Sequence, residues 1–90
     1  MSESKQNTRY LVMAMRKPGF SEGVIAPHLA FLDALRAEGK LEMTGGFGDK
    51  SGGAYVLRAT SMEEAQALVA ADPLATSGSS IVTVYEWNTR

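Results

Sequence analysis

The segment PHLAFLDAL at residues 27–35 decides the fold, because it predicts a helix between two strand-like stretches. Four of its side chains recur with the period of an α-helix and form one helix face: His28, Phe31, Leu32 and Leu35. Pro27 suits the first helical turn, where its missing N–H would have no partner in any case. Gly39 suits the position just after the helix, where a left-handed residue ends it. We therefore predict a helix that packs this stripe against a sheet.

Four stretches have the composition of β-strands. These predicted strands are residues 10–15, 41–44, 54–59 and 81–87. The first is a continuous apolar run that ends at the turn signal Pro18-Gly19. Between the second and third strands, the glycine-rich residues 45–53 predict a flexible hairpin loop.

A second helix is predicted to begin at Ser61. Ser61 and Glu64 have the spacing of a capping box, in which the hydroxyl and the carboxylate each accept a backbone N–H. This helix must stop near Asp72, because Pro73 disfavours a helical residue before it. We expect residues 74–80 to form a short connection to the last strand.

The predicted order of elements is β-α-β-β-α-β. With right-handed crossovers, this order gives an α+β, ferredoxin-like fold: an antiparallel sheet with two helices on one face. We expect one domain over residues 9–90, after a disordered leader at residues 1–8.

Composition and charge exclude several classes of protein. The chain has 90 residues, with 9 Lys+Arg against 10 Asp+Glu and a formal net charge of −1. It has no basic run to bind nucleic-acid phosphates, and no stretch near the ~20 apolar residues that a membrane helix needs. It has no cysteine and a single histidine, so thiolate and histidine-pair metal sites are excluded. We expect a cytoplasmic protein with no metal and no cofactor.

The predicted sheet has an apolar face that the helices do not cover. The first strand is apolar on both faces, with one set formed by Leu11, Met13 and Met15 and the other by Tyr10, Val12 and Ala14. The last strand likewise has Val82 and Val84 on one face and Ile81, Tyr85 and Trp87 on the other. An exposed apolar surface of this size usually marks an interface. We therefore predict a homodimer in which the two sheets face each other. The alternative is a monomer in which long side chains and terminal residues cover the face.

The topology brings His28 and Asp72 to the same end of the molecule, because the start of the first helix lies beside the finish of the second. A carboxylate at a helix C-terminus needs a compensating partner, either an imidazolium or the N-terminus of a helix. A histidine that an aspartate orients can act as a general base or acid near neutral pH. We predict this pair as the catalytic site; the alternative is a core histidine satisfied by one hydrogen bond.

Three further residues are predicted to bind a small-molecule ligand in a crevice at this end. Arg16 follows the first strand, Gly46 lies in the glycine-rich stretch, and Ser77 precedes the last strand.

Several short motifs carry a resemblance to a known family. They are Pro27-His28 with Leu29, Leu32 and Leu35, then Glu38-Gly39-Lys40-Leu41, Gly45-Gly46, Ser61-Met62-Glu63-Glu64-Ala65, Ala71-Asp72-Pro73 and Val84-Tyr85-Glu86-Trp87. In order and spacing, over about residues 9 to 88, they resemble the YciI-like (YCII-related) family of the dimeric α/β barrel superfamily. The resemblance implies a ferredoxin-like dimer with an active site built on a His–Asp pair, which falls on His28 and Asp72.

The chain departs from the family pattern at two places. Family members often have an arginine shortly before the Pro-His segment, where residues 23–26 here are Gly-Val-Ile-Ala, and many have Gly-Pro where this chain has Gly46-Phe47. If that arginine normally holds an anionic group, Arg16 would have to replace it.

The leading functional hypothesis is a small dimeric enzyme in which His28, oriented by Asp72, transfers a proton. A relative that acts as a dehydrochlorinase, and muconolactone isomerases in the wider group, favour a lyase- or isomerase-like proton transfer or elimination on a small metabolite. The second hypothesis is a non-catalytic ligand-binding or accessory dimeric module with the same pocket. The third is a structural dimer in which the His–Asp contact only stabilises the fold.

Overall fold

Strand β1 (Thr8–Arg16) lies at the centre of the molecule, between two other strands. The computed structural model describes residues 7–90. After β1 come a 3-10 turn (Glu22–Val24), helix α1 (Ile25–Ala37), strands β2 (Leu41–Gly46) and β3 (Gly52–Leu57), helices α2 (Met62–Val69) and α3 (Pro73–Thr76), and strand β4 (Ser80–Asn88). The strands form one sheet in the order β2-β3-β1-β4.

Every neighbouring pair of strands in the sheet is antiparallel. β1 and β2 therefore run in the same direction, joined by α1, and β3 and β4 run in the opposite one. The predicted α+β, ferredoxin-like arrangement is confirmed. β1 begins at Thr8, one residue before the predicted start of the domain. Of the predicted leader, residues 1–6 lie outside the described residues.

Helix α1 ends as its sequence predicts. Gly39 adopts a left-handed conformation with φ 76°. Its N–H donates to the carbonyl of Arg36 at 3.0 Å, and the N–H of Lys40 donates to the carbonyl of Leu35 at 2.9 Å. These two bonds make a Schellman cap, which satisfies carbonyls that the end of a helix leaves open.

Helix α2 begins at the predicted cap. The Ser61 hydroxyl accepts the Glu64 N–H at 3.1 Å, as in a capping box. The Glu64 carboxylate reaches one residue further back than predicted and accepts the N–H of Thr60 at 2.6 Å. This backbone hydrogen bond is the main reason that the pKa of Glu64 lies below its usual range.

The prediction for residues 70–80 was wrong in one respect. α2 ends at Val69, and Asp72 is not its C-terminal residue but the N-cap of α3, whose first residue is Pro73. The predicted connection therefore contains a short helix. The Asp72 carboxylate accepts the N–H of Leu74 at the positive end of α3, so the unfavourable position that the sequence suggested does not arise.

The glycine-rich loop is shorter than predicted, because most of its glycines belong to strands. Gly46 pairs with Gly53 and Gly45 with Ala54, which leaves only residues 47–51 between β2 and β3. The strands approach so closely here that a Cβ on Gly53 would lie 2.6 Å from the Gly45 carbonyl oxygen. Glycine is thus needed for the pairing itself rather than for a flexible loop.

The helices cover one face of the sheet and bury one core there. It consists of Tyr10, Val12, Leu32, Leu35, Leu41, Tyr55, Leu57, Ala65 and Val69. The predicted helix stripe is confirmed, since Leu32 and Leu35 are buried and Phe31 packs against them.

The opposite face of the sheet stays uncovered within the chain. It carries most of the large apolar side chains that are exposed: Met43, Ile81, Tyr85 and Trp87. These side chains belong to an apolar patch that extends across the sheet, because Leu11 of β1 is paired with Val56 of β3 on one side and with Tyr85 of β4 on the other. Over residues 7–90, no helix is long and apolar enough to cross a membrane.

Candidate functional site

The site is organised around the carboxylate of Asp72, which is fully buried. One of its oxygens, Oδ1, lies 2.8 Å from His28 Nδ1 and accepts the N–H of Leu74 at 2.9 Å. The other, Oδ2, accepts the hydroxyl of Tyr55 at 2.7 Å. Burial of a charge is costly unless hydrogen bonds replace its water, and these three donors do so.

Three separate parts of the chain meet at this carboxylate. His28 comes from α1, Tyr55 from the core face of β3, and Asp72 from the junction of α2 and α3. The predicted His28–Asp72 contact is thus present in the structure, although through the N-cap of α3 rather than the end of α2.

His28 is fixed by this contact and by aromatic neighbours. Its ring centroid lies 6.4 Å from that of Phe31 and 5.9 Å from that of Tyr55. With the Asp72 carboxylate as acceptor, the proton of a neutral imidazole is assigned to Nδ1. Nε2 then has a free lone pair, and the side chain, 15% exposed, lines a cavity.

Tyr55 acts as a neutral donor. Burial of the ring, and next the hydrogen bond to the Asp72 carboxylate, raise the pKa of its phenol far above the usual range. At neutral pH the hydroxyl therefore keeps its proton and supports the orientation of the carboxylate.

The cavity beside His28 has a volume of about 230 Å³. Its apolar walls are Ala14, Phe20, Ile25, Leu29, Leu32, Ala54 and Leu74. Its polar side chains are Arg16, His28, Thr44, Tyr55 and Ser80, and the glycines 45, 46, 52 and 53 complete it. Cavities for drug-sized ligands usually measure roughly 300–1,000 Å³, so this one suits a smaller molecule.

The structure brings four of the five predicted site residues together. Arg16 and Gly46 line the cavity with His28, and Asp72 lies behind His28 without lining it. Ser77 is elsewhere: its hydroxyl donates to Ser79 at 3.0 Å, and it lines a separate surface groove.

Sequence reasoning missed Tyr55 as part of the site. The sequence pattern places Tyr55 only in the third predicted strand; the available signal is that a tyrosine among apolar core positions usually has a buried partner for its hydroxyl. Residues 74–80 are predicted as a connection before the last strand, but Ser80 is the first residue of β4 and lines the cavity. Within residues 7–90, no three His, Cys, Asp or Glu side chains gather where they could hold a metal ion.

Comparison with known proteins shows that the chain matches a protein family and is similar to a protein of known sequence. A family model described as the YCII-related domain matches residues 8–88. The uncharacterized protein YjpA of Bacillus subtilis (strain 168) is 50% identical over 78 residues, which cover 87% of this chain and 92% of that protein.

Two solved structures share the fold. One is the 5-chloro-2-hydroxyhydroquinone dehydrochlorinase of Burkholderia phenoliruptrix AC1100 in complex with 2,5-dihydroxybenzoquinone. It is 27% identical with a TM-score of 0.71, over 88% of this chain and 92% of its own. The other is the hydroxynitrile lyase of Passiflora edulis, 17% identical with a TM-score of 0.50 over 92% and 94% of the two chains, which shows a similarity of fold alone.

Proposed function

The chain belongs to the YCII-related domain family, and we propose that it is a small enzyme in which His28 acts as general base and acid. The observation that carries this proposal is the 2.8 Å contact between His28 Nδ1 and the buried Asp72 carboxylate, beside an apolar cavity. This contact leaves Nε2 as the nitrogen that can exchange a proton with a bound molecule.

The proposed reaction is proton transfer or elimination on a small metabolite. The substrate reacts as its keto tautomer, in which the ring carbon that bears the leaving group also carries a hydrogen, and His28 Nε2 takes the proton of a ring hydroxyl. The electron pair of that O–H bond forms a C=O bond, the adjoining C=C bond shifts to the carbon of the leaving group, and the leaving group departs with its own bonding pair. The imidazolium, which the Asp72 carboxylate stabilises, then returns the proton to water or to the product.

The similarity to the dehydrochlorinase supports this class of reaction. That protein is named for the loss of hydrogen chloride from a hydroxylated aromatic ring, and its complex holds a single-ring quinone. A cavity of about 230 Å³ matches a molecule of that size. Since one fold serves many reactions, the substrate itself must come from experiment.

Release of chloride from 5-chloro-2-hydroxyhydroquinone is the first activity to measure. We expect His28→Gln to lower the rate by about 100-fold or more, the usual worth of a positioned base, with little change in folding. Glu63→Gln, at an exposed residue of α2 away from the cavity and from the uncovered sheet face, is the control and should retain the rate.

Two outcomes would contradict the proposal. Turnover that persists in His28→Gln would remove His28 from the chemistry. Binding of the compound without any turnover would favour the alternative, a ligand-binding or accessory module with the same pocket.

We also propose that the protein is a homodimer through the uncovered sheet face. Met43, Ile81, Tyr85 and Trp87 are about half exposed or more in the single chain. A second copy of the same face would cover this patch by two-fold symmetry. The cytoplasmic location and the cofactor-free reaction expected from the sequence stay predictions.

A further inference from the structure

Arg16 of β1 and Ser80 of β4 are neighbours on adjacent strands at the edge of the cavity. The register of β1 and β4 pairs them directly, and both line the cavity that contains His28. Residues paired in this way lie side by side on the same face of a sheet, which here is the face that the helices cover.

The Ser80 hydroxyl is a buried polar group with no partner. The residue is 6% exposed, and its Oγ is the one buried side-chain oxygen or nitrogen in residues 7–90 that makes no hydrogen bond. Native proteins rarely leave such a group unsatisfied, so its presence beside a cavity calls for an explanation. A bound ligand would supply the missing acceptor.

The Arg16 guanidinium is a positive charge without a carboxylate partner in the part of the chain that the structure describes. It lies 4.2 Å from the ring centroid of Phe20, a position that fixes its plane while leaving its N–H groups available. Among the cavity-lining side chains, Arg16 is the one with a permanent charge. The negative charge of Asp72 is already matched by its three donors.

We propose that Arg16 and Ser80 form an anion subsite of this cavity, and that the ligand is a small single-ring carboxylate or phenolate. Its anionic oxygen accepts hydrogen bonds from the guanidinium and from the Ser80 hydroxyl, and its ring packs on apolar walls such as Phe20 and Leu32. As a substrate subsite, this inference rests on the proposed function, because it places the charged end of the molecule on which His28 acts.

A matched pair of ligands tests the subsite. Benzoate and benzamide have nearly the same shape and differ in charge, and their affinities can be measured by NMR titration of the isotope-labelled protein. We expect benzoate to bind the wild-type protein at least about tenfold more tightly than benzamide, since hydrogen bonds to a charged acceptor are the stronger ones.

Two pairs of variants separate the subsite from general charge and polarity. Arg16→Gln should reduce the preference for benzoate to about twofold or less, whereas Lys17→Gln, an equal charge change at an exposed neighbour, should retain it. Ser80→Ala should reduce the ratio of benzoate affinity to benzamide affinity, whereas Ser77→Ala, outside the cavity, should leave that ratio unchanged. Thermal unfolding of each variant reports whether the fold is retained.

The subsite proposal is overturned if the wild-type protein binds neither ligand, if it binds both equally, or if Arg16→Gln retains the preference. His28→Gln distinguishes this failure from that of the proposed function. A charge preference that survives while chloride release does not depend on His28 would refute the catalytic role alone. Release that depends on His28 without any charge preference would refute the subsite alone.

Discussion

At the scale of the residue, the site depends on one buried carboxylate with three donors. The Asp72 carboxylate contacts the His28 ring and accepts hydrogen bonds from the Tyr55 hydroxyl and from the Leu74 N–H, the last of which caps α3. Any change at Asp72 therefore acts on both stability and chemistry, whereas a change at His28 removes only one of the three donors. This difference separates a catalytic role of the pair from a purely structural one.

We predict that Asp72→Ala lowers the free energy of unfolding by about 2 kcal/mol or more. The substitution leaves buried donors without an acceptor, and each such donor costs about 1–3 kcal/mol. Urea denaturation measures the change. Asp33→Ala, at an exposed residue of α1, is the control and should change stability by no more than about 0.5 kcal/mol. A loss at Asp72 as small as that of the control would contradict the network.

We predict that burial of the Tyr55 phenol makes the protein less stable at alkaline pH. Its pKa is raised in the folded protein, by burial first and then by the hydrogen bond to Asp72. Above about pH 10 the unfolded chain therefore loses a proton that the folded protein keeps, and stability falls by about 1.4 kcal/mol per pH unit. Below that pH, both states keep the proton and Tyr55 contributes no slope.

We therefore expect Tyr55→Phe to weaken this alkaline loss of stability. The pKa of Tyr10 is also raised by its burial, so part of the alkaline loss of stability should remain in the variant. Chemical denaturation at a series of pH values from 7 to 12 would show the difference. Parallel curves for the two proteins above pH 10 would contradict a neutral, buried Tyr55.

At the scale of the element, local sequence signals placed two helix ends correctly, the end of α1 and the start of α2. Ser61 and Gly39 cap their helices as predicted, because a cap depends on the chemistry of a few adjacent residues. The same reasoning failed for residues 45–53. A high glycine content indicates backbone freedom, but it does not reveal that a neighbouring strand approaches closely enough to require glycine.

This close approach predicts different effects for two glycines. Gly53→Ala should destabilise the protein by about 1–3 kcal/mol, as overpacking does, because the new Cβ would meet the backbone of Gly45 at 2.6 Å. Gly48→Ala, where no atom lies within 4 Å of the added Cβ, should have little effect. Thermal melts of the two variants would test the pair, and equal melting temperatures would contradict the strand pairing.

At the scale of the whole molecule, the uncovered sheet face predicts self-association. Ile81→Lys places a charge in the proposed interface, where its burial is unfavourable, and we expect it to weaken the dimer by about 100-fold or more. Ala67→Lys, on the exposed side of α2, is the control and should leave the dimer intact. Sedimentation equilibrium measures both, and a monomeric wild-type protein would refute the interface.

The sequence by itself determined the order of the four strands and of α1 and α2, the caps at Gly39 and Ser61, and the apolar stripe that contains His28. These features depend on periodicity and on the backbone chemistry of adjacent residues, which are visible in one dimension. Only the tertiary structure decided that Tyr55, separated by 17 positions from Asp72, shares its carboxylate, and that Ser80 rather than Ser77 faces the cavity. Such contacts follow from strand register and from the packing of α3 on the sheet. A shift of about one ångström makes or breaks a hydrogen bond, and local sequence does not specify positions to that precision.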